Sequence, residues 1–173
     1  ADMNTGQLVM TFSEPLNHTS LDLSVITLYS DSDATAATTV SYQIANASLA
    51  GTAPTTSSDA ADLCKITVQL NYEELNNIKD SVPVCQSYAT CYLSTTSGFG
   101  SDIASYDHSS GAYVNNAVTA ASVVQSSTDH VVDSIGPKIE YFTLDMNTGQ
   151  LRLFLDEPVY SGYFDASGIT FYN

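Results

Sequence analysis

The chain has 173 residues, 19 acidic against 4 basic side chains, a net charge of −15 and 43% apolar residues. That apolar content sustains a folded core in one domain of ordinary size and excludes a disordered acidic tail. Four cations cannot build the clustered basic surface that nucleic acid or anionic lipid requires, and no run of 18 apolar residues offers a membrane span.

Ser and Thr fill about a quarter of the positions, Trp is absent, and Tyr (11) outnumbers Phe (6). A hydroxyl-rich, acidic, weakly basic surface suits an extracellular location or the cell surface better than the cytoplasm. The sequence starts with neither Met nor an apolar leader, so it reads as a mature or excerpted piece.

In chain order, Asn4-Thr5-Gly6 is expected to form a hairpin turn, with glycine supplying positive φ. Residues 8–12 and 25–29 alternate apolar and polar side chains and read as strands separated by a Pro-containing connection. Residues 40–44 make a third strand. Residues 30–39 and 51–61 read as polar loops. Residues 64–70 alternate with Cys64, Ile66, Val68 and Leu70 inward. Residues 72–79 break the pattern: Leu75 and Ile78 lie three apart, Asn71 stands ready to cap, and Glu73 and Glu74 fill the first turn. One short helix is expected there. Further strands are expected at residues 91–95 and 113–118. Short strands punctuated by turns give an all-β sandwich.

A repeat is the most informative feature. Asp2-Met3-Asn4-Thr5-Gly6-Gln7-Leu8 recurs unchanged as Asp145-Met146-Asn147-Thr148-Gly149-Gln150-Leu151, 143 positions later (145 against 2). The register continues without a gap. Phe12-Ser13-Glu14-Pro15-Leu16 answers Leu155-Asp156-Glu157-Pro158-Val159, and Leu21-Asp22 with Ile26-Thr27-Leu28-Tyr29 answers Phe164-Asp165 with Ile169-Thr170-Phe171-Tyr172. A period of this size means whole domains in tandem. Residues 137–144 read as a strand before the second copy, with no counterpart before the first. We therefore expect residues 1–135 to form a repeat lacking its first strand, and residues 136–173 to be opening strands of the following repeat. So short a segment buries too little surface to fold alone. The junction strand then carries Ile139, Tyr141, Phe142 and Leu144, which pack on or complete a neighbouring module. Either the chain is cut from a longer repetitive polypeptide, or subunits exchange strands. Both imply a head-to-tail, non-closing array with self as partner.

Phe12-Ser13-Glu14-Pro15-Leu16, followed by Leu21-Asp22 and Ile26-Thr27-Leu28, resembles the "FSEP" strand pair of bacterial-type immunoglobulin-like repeats, found in large secreted and surface proteins of microbes and protists. Leu75-Asn76-Asn77-Ile78-Lys79, the turn at 107–111 and Asp133-Ser134-Ile135-Gly136-Pro137 fit the same order. The resemblance implies an Ig-like β-sandwich used as a spacer, adhesin or fibre module, and implies no catalytic residue. The second copy departs from it at Leu155-Asp156, and the cysteines lie outside its pattern.

Three cysteines in a secreted-looking chain predict one disulfide. Cys85 and Cys91 flank a five-residue loop where a bridge closes easily, and Cys64–Cys91 is the rival pair; the favoured pairing leaves Cys64 as a small buried apolar group. Asn17-His18-Thr19 and Asn46-Ala47-Ser48 are N-glycosylation sequons in or beside polar connections, so covalent glycans at Asn17 and Asn46 are expected. Thr55-Thr56-Ser57-Ser58 and Ser94-Thr95-Thr96-Ser97 are weaker O-linked candidates. No cofactor is expected. Calcium is the alternative, at Asp2-x-Asn4-x-Gly6, its repeat, or Asp129 with Asp133, although the spacing and closing Glu of a calcium loop are missing. An enzyme is not expected. His18, His108 and His130 sit in polar stretches, no nucleophile elbow or zinc motif occurs, and Asp156 and Glu157, adjacent on a strand, would face opposite ways. The leading reading is a structural module of an extracellular glycoprotein filament or stalk. Its competitor is a calcium- or carbohydrate-dependent adhesin module.

Overall fold

The computed structural model describes residues 1–49, 63–103, 105–107, 109, 111–119, 123–159, 162 and 164–172. The chain divides into two compact units, Ala1–Asp133 and Ser134–Asn173. The expected loop at 51–61, the cluster Thr55-Thr56-Ser57-Ser58 and His108 lie outside the described residues, as does part of the turn at 107–111.

The first unit is an all-β sandwich that also carries a short helix. Strands β1 (Gln7–Thr11), β4 (Ala47–Leu49) and β5 (Lys65–Leu70) form one antiparallel sheet in the order β1-β5-β4. Strands β2 (Ile26–Tyr29), β3 (Ser41–Gln43), β6 (Tyr92–Thr95) and β9 (Val124–Gln125) form the other, in the order β3-β2-β6-β9. Strands β7 (Ser105–Asp107) and β8 (Ala112–Val114) make a separate hairpin.

Period-two alternation builds the core. Ile66, Val68 and Leu70 of β5, Ile26 and Leu28 of β2 and Leu8 of β1 are all buried, and each such side chain contributes about 1.5–3 kcal/mol. Phe99, fully enclosed, stacks on Phe12 with ring centroids 5.7 Å apart. The helix α1 (Tyr72–Asp80) starts where the sequence places it: the Asn71 carboxamide oxygen accepts from the Glu74 amide at 2.8 Å, and Glu73 and Glu74 stand in the first turn. Ile78 turns into the core.

Several expectations need correction. Cys64 is only half-buried, because β5 begins one residue later; its carbonyl accepts from the Phe12 amide at 2.8 Å. The strand expected over 113–118 is shorter: β8 ends at Val114, beyond which Ala117 makes one isolated bridge with Ser101. Thr95, named as an O-glycan candidate, is a buried β6 residue and cannot present its hydroxyl to solvent. Asp156 and Glu157 lie in the bend after the last strand, ahead of Pro158, whose missing amide disfavours continued pairing.

His130 is not the solvated loop residue the composition suggests. Both ring nitrogens are enclosed and make no hydrogen bond of good geometry; burial first, then the nearby N-terminal charge, holds the pKa below the ordinary histidine value, against a weak contact with the Cys85 backbone that raises it. In the unfolded chain the ring protonates near the ordinary value of about 6.5, whereas the folded unit holds it neutral further down. Stability that depends on the neutral ring is therefore complete above that pH and is lost as pH falls through the depressed folded value. Melting curves should show a larger loss between about pH 7 and pH 5 for the native chain than for His130→Leu. Equal losses would refute the assignment.

The second unit is a hairpin of β10 (Ile139–Asp145) and β11 (Gln150–Leu155), followed by a 3-10 turn over Ala166–Gly168. No helix among the described residues is long and apolar enough to cross a membrane.

Candidate functional site

The sequence repeat is also a repeat of local structure. At residues 2–6 the Asp2 carboxylate accepts the amides of Asn4 (2.9 Å) and Thr5 (3.2 Å), and the Gly6 amide closes onto the Asp2 carbonyl at 2.9 Å. At residues 145–149 the Asp145 carboxylate accepts from Asn147 (2.8 Å) and Thr148 (3.3 Å), and Gly149 closes onto the Asp145 carbonyl at 2.8 Å. Gly6 and Gly149 take φ of 70° and 69°, the left-handed region that favours glycine. The caps match as well. Asp22 accepts the Ser24 amide at 3.0 Å, and Asp165 accepts the Ser167 amide at 2.9 Å.

Electrostatics repeat with the geometry. At Asp2 desolvation opposes ionisation, but hydrogen bonds from Asn4 and Thr5 outweigh it and hold the pKa below the ordinary value. Asp145 is lowered by the amide of Asn147, then by Thr148. Asp22 and Asp165 are lowered by the hydroxyls and amides of Ser24 and Ser167. In both calcium-like motifs one carboxylate oxygen thus serves as the acceptor of its own turn. At the other calcium candidate, Asp133 pairs with the Lys79 ammonium at 3.1 Å.

Burial is where the copies part. Met3 is 2% exposed and its repeat Met146 is 81% exposed; Leu28 is 1% exposed and its repeat Phe171 59%. Leu151, Leu153, Leu155, Phe164 and Ile169 line an apolar hollow of about 390 Å³ in the second unit. Their counterparts Leu8 and Ile26 are core residues of the first. In the second unit these apolar side chains line a hollow, where their counterparts in the first close a core. Ile139, Tyr141, Phe142 and Leu144 of β10 are all exposed, with Tyr141 stacked on Phe154 at 4.2 Å.

Strand β1 pairs with β5 on one side, Gln7 opposite Gln69 through Thr11 opposite Lys65. On its other side, among the described residues, only the bridge between Asp2 and Gln7 is formed. Beside that edge runs a groove of about 1190 Å³, lined by Leu8 and Met10 on one wall and by Leu28, Leu93 and Val118 on the other.

Of the modification sites, Cys85 and Cys91 form the disulfide, with Cα atoms 4.0 Å apart and both residues buried in the core. Closing so short a loop stabilises by about 2 kcal/mol in the chain-entropy model. The Cys85→Ala/Cys91→Ala variant should lose about that much in urea unfolding. A loss below about 0.5 kcal/mol would mean the bridge only decorates a loop already fixed by packing. Asn17 is half-buried; its side-chain oxygen caps a 3-10 turn by accepting the amide (3.2 Å) and hydroxyl (2.7 Å) of Thr19, the third residue of its sequon. Asn46 is exposed immediately before β4, and its amide donates to the Glu74 carboxylate at 2.9 Å.

The carboxylate of Glu74 is the feature that sequence reasoning undervalued. Expected only as a first-turn acid of the helix, it is buried and also accepts from the Tyr42 hydroxyl (2.9 Å) and the Ala45 amide (3.2 Å). Burial raises the Tyr42 pKa and the neighbouring Glu74 charge pushes the same way, although a hydrogen bond with Asn77 opposes them. Nothing in Tyr72-Glu73-Glu74 says which acid points inward.

No protein-family model, no curated protein and no solved structure matches this chain.

Proposed function

We propose that the chain is a structural module of an extracellular glycoprotein filament or stalk, in which Ig-like sandwiches follow one another head to tail. The observation that carries the reading is the 143-residue repeat: turn, strand and cap recur with matched hydrogen bonds, but the second set leaves its core face uncovered. A hairpin with an exposed apolar face is costly in water unless further chain or another copy covers it. Repetition of the whole module supplies that cover at every junction but the last.

Other features support the setting. A buried disulfide suits an oxidising compartment. The net charge of −15 keeps modules from collapsing on one another. Asn17 and Asn46 are proposed carriers of N-linked glycans, Asn46 on exposed backbone and Asn17 at the rim of a turn.

The test is the mass of the native polypeptide under denaturing, reducing conditions after glycan removal, combined with immunoelectron microscopy using antibodies to the first unit. Extracellular filaments labelled at a regular spacing are expected. A large mass would make the filament one covalent chain of repeats, and a small one would make it an assembly of subunits. A dispersed antigen with no filament would overturn the proposal.

A further inference from the structure

We propose that the outer face of the β3-β2-β6-β9 sheet binds an uncharged glycan, an extended chain of β-1,4-linked pyranoses laid across the strands over Tyr29 and Tyr92. This goes beyond the filament reading and does not depend on it.

Alternation along the strands defines the face. Ile26 and Leu28 are buried in the core, so Thr27 and Tyr29 point away from it. Cross-strand partners share a face. Tyr29 lies opposite Ser41 on one side and Tyr92 on the other, and Tyr92 lies opposite Gln125. One row of side chains, Ser41-Tyr29-Tyr92-Gln125, therefore crosses every strand of the sheet. Beside it runs a second row, Gln43-Thr27-Ser94. Tyr29 and Tyr92 are half-buried, and Ser41, Gln43 and Gln125 are exposed.

Charge and polarity narrow the occupant. Neither row holds an acid or a base, in a chain of net charge −15. The negative charge lies off this sheet, since β2, β3, β6 and β9 contain no Asp or Glu. A polyanion is repelled by the surrounding field, and a basic partner finds no opposite charge on the face. No aliphatic side chain stands in either row, whereas a protein partner needs a desolvated apolar anchor. A flat, uncharged surface of aromatic rings, amides and hydroxyls complements a sugar.

The spacing selects the linkage. A pyranose with equatorial substituents presents axial C–H bonds on both faces, and these hydrogens sit against the negative face of an aromatic ring. Neighbouring strands lie about 4.8 Å apart, close to the advance per unit of an extended β-1,4 chain, so Tyr29 and Tyr92 take successive sugars. An α-1,4 chain coils and offers no such ribbon. The row spans about 14 Å across the strands, room for about three units. Equatorial hydroxyls then reach sideways to preset acceptors. The Gln43 amide nitrogen donates to the Ser24 carbonyl at 2.9 Å, and that of Gln125 to the Tyr88 carbonyl at 3.4 Å. With its nitrogen held, each carboxamide keeps its oxygen as an acceptor, one at either edge of the sheet.

The probe is cellohexaose, titrated calorimetrically into the full chain. Affinity should rise from cellobiose to cellotriose and then level off, and maltohexaose should bind about tenfold more weakly than cellohexaose. Tyr92→Leu keeps bulk and strand preference but loses the ring face, and should weaken cellohexaose about tenfold. Tyr92→Phe keeps the ring and should stay within about threefold, which separates loss of stacking from loss of fold. Absence of cellohexaose binding, equal binding of cellohexaose and maltohexaose, or native affinity in Tyr92→Leu overturns the proposal.

Discussion

Met3→Ala is expected to lower the unfolding free energy of the first unit by about 3 kcal/mol, whereas Met146→Ala, in the identical heptapeptide, should change stability by less than about 0.5 kcal/mol. Met3 is almost wholly buried and its amide donates to the Val131 carbonyl at 2.9 Å, so truncation leaves a cavity where two chain segments meet. Met146 stands in water, and shortening it removes nothing from a core. Urea unfolding followed by tyrosine fluorescence and near-ultraviolet dichroism measures both. The contrast isolates context, because residue and nearest neighbours are the same. A comparable loss at both positions would show that the second heptapeptide is already covered. In a longer stretch of repeats the penalty should reappear at Met146, making this pair a reporter of module completion.

Glu74→Ala should cost about 3 kcal/mol, or a melting temperature roughly 10 °C lower, while Glu73→Ala should stay within about 0.5 kcal/mol. Both acids occupy the first turn of α1, but Glu74 is 3% exposed and Glu73 is exposed. Removing the Glu74 carboxylate takes the shared acceptor away from three part-buried donors, the Tyr42 hydroxyl and the amides of Ala45 and Asn46, and leaves a cavity where a buried side chain stood. Tyr42→Phe removes one of these donors and should cost about 1 kcal/mol in the native background, and much less once Glu74 is gone. Additive losses in that double-mutant cycle would show that the phenol and the carboxylate act independently. The same carboxylate fixes the backbone ahead of β4 that presents the Asn46 sequon, so Glu74→Ala should also loosen that segment in hydrogen exchange.

Elements with strong local patterns were legible in the sequence. Strands β1, β2 and β5 alternate cleanly, α1 is announced by Asn71 and its acids, and both hairpin turns follow from Asn-Thr-Gly. Strands β4, β7 and β9 were missed. Each is only two or three residues long, too short to show a period, and β4 and β9 pair with the stronger neighbours β5 and β6. The site divides in the same way. The repeat and the Cys85–Cys91 pairing were readable because one is identity and the other a short closure. The inward turn of Glu74, the burial of Thr95 and the enclosure of His130 were not, because each depends on what the fold brings over a locally ordinary residue.

The Cys85–Cys91 bridge also sets how far a pulled module yields. Six residue steps of free chain extend to about 20 Å, whereas the bridge holds its two Cα atoms 4.0 Å apart. In the proposed array, each module drawn out under load would therefore release roughly 16 Å less contour length while the bridge is intact. If the proposed array holds, a reducing medium would lengthen it under load by that amount at every module, so redox conditions would set its extensibility.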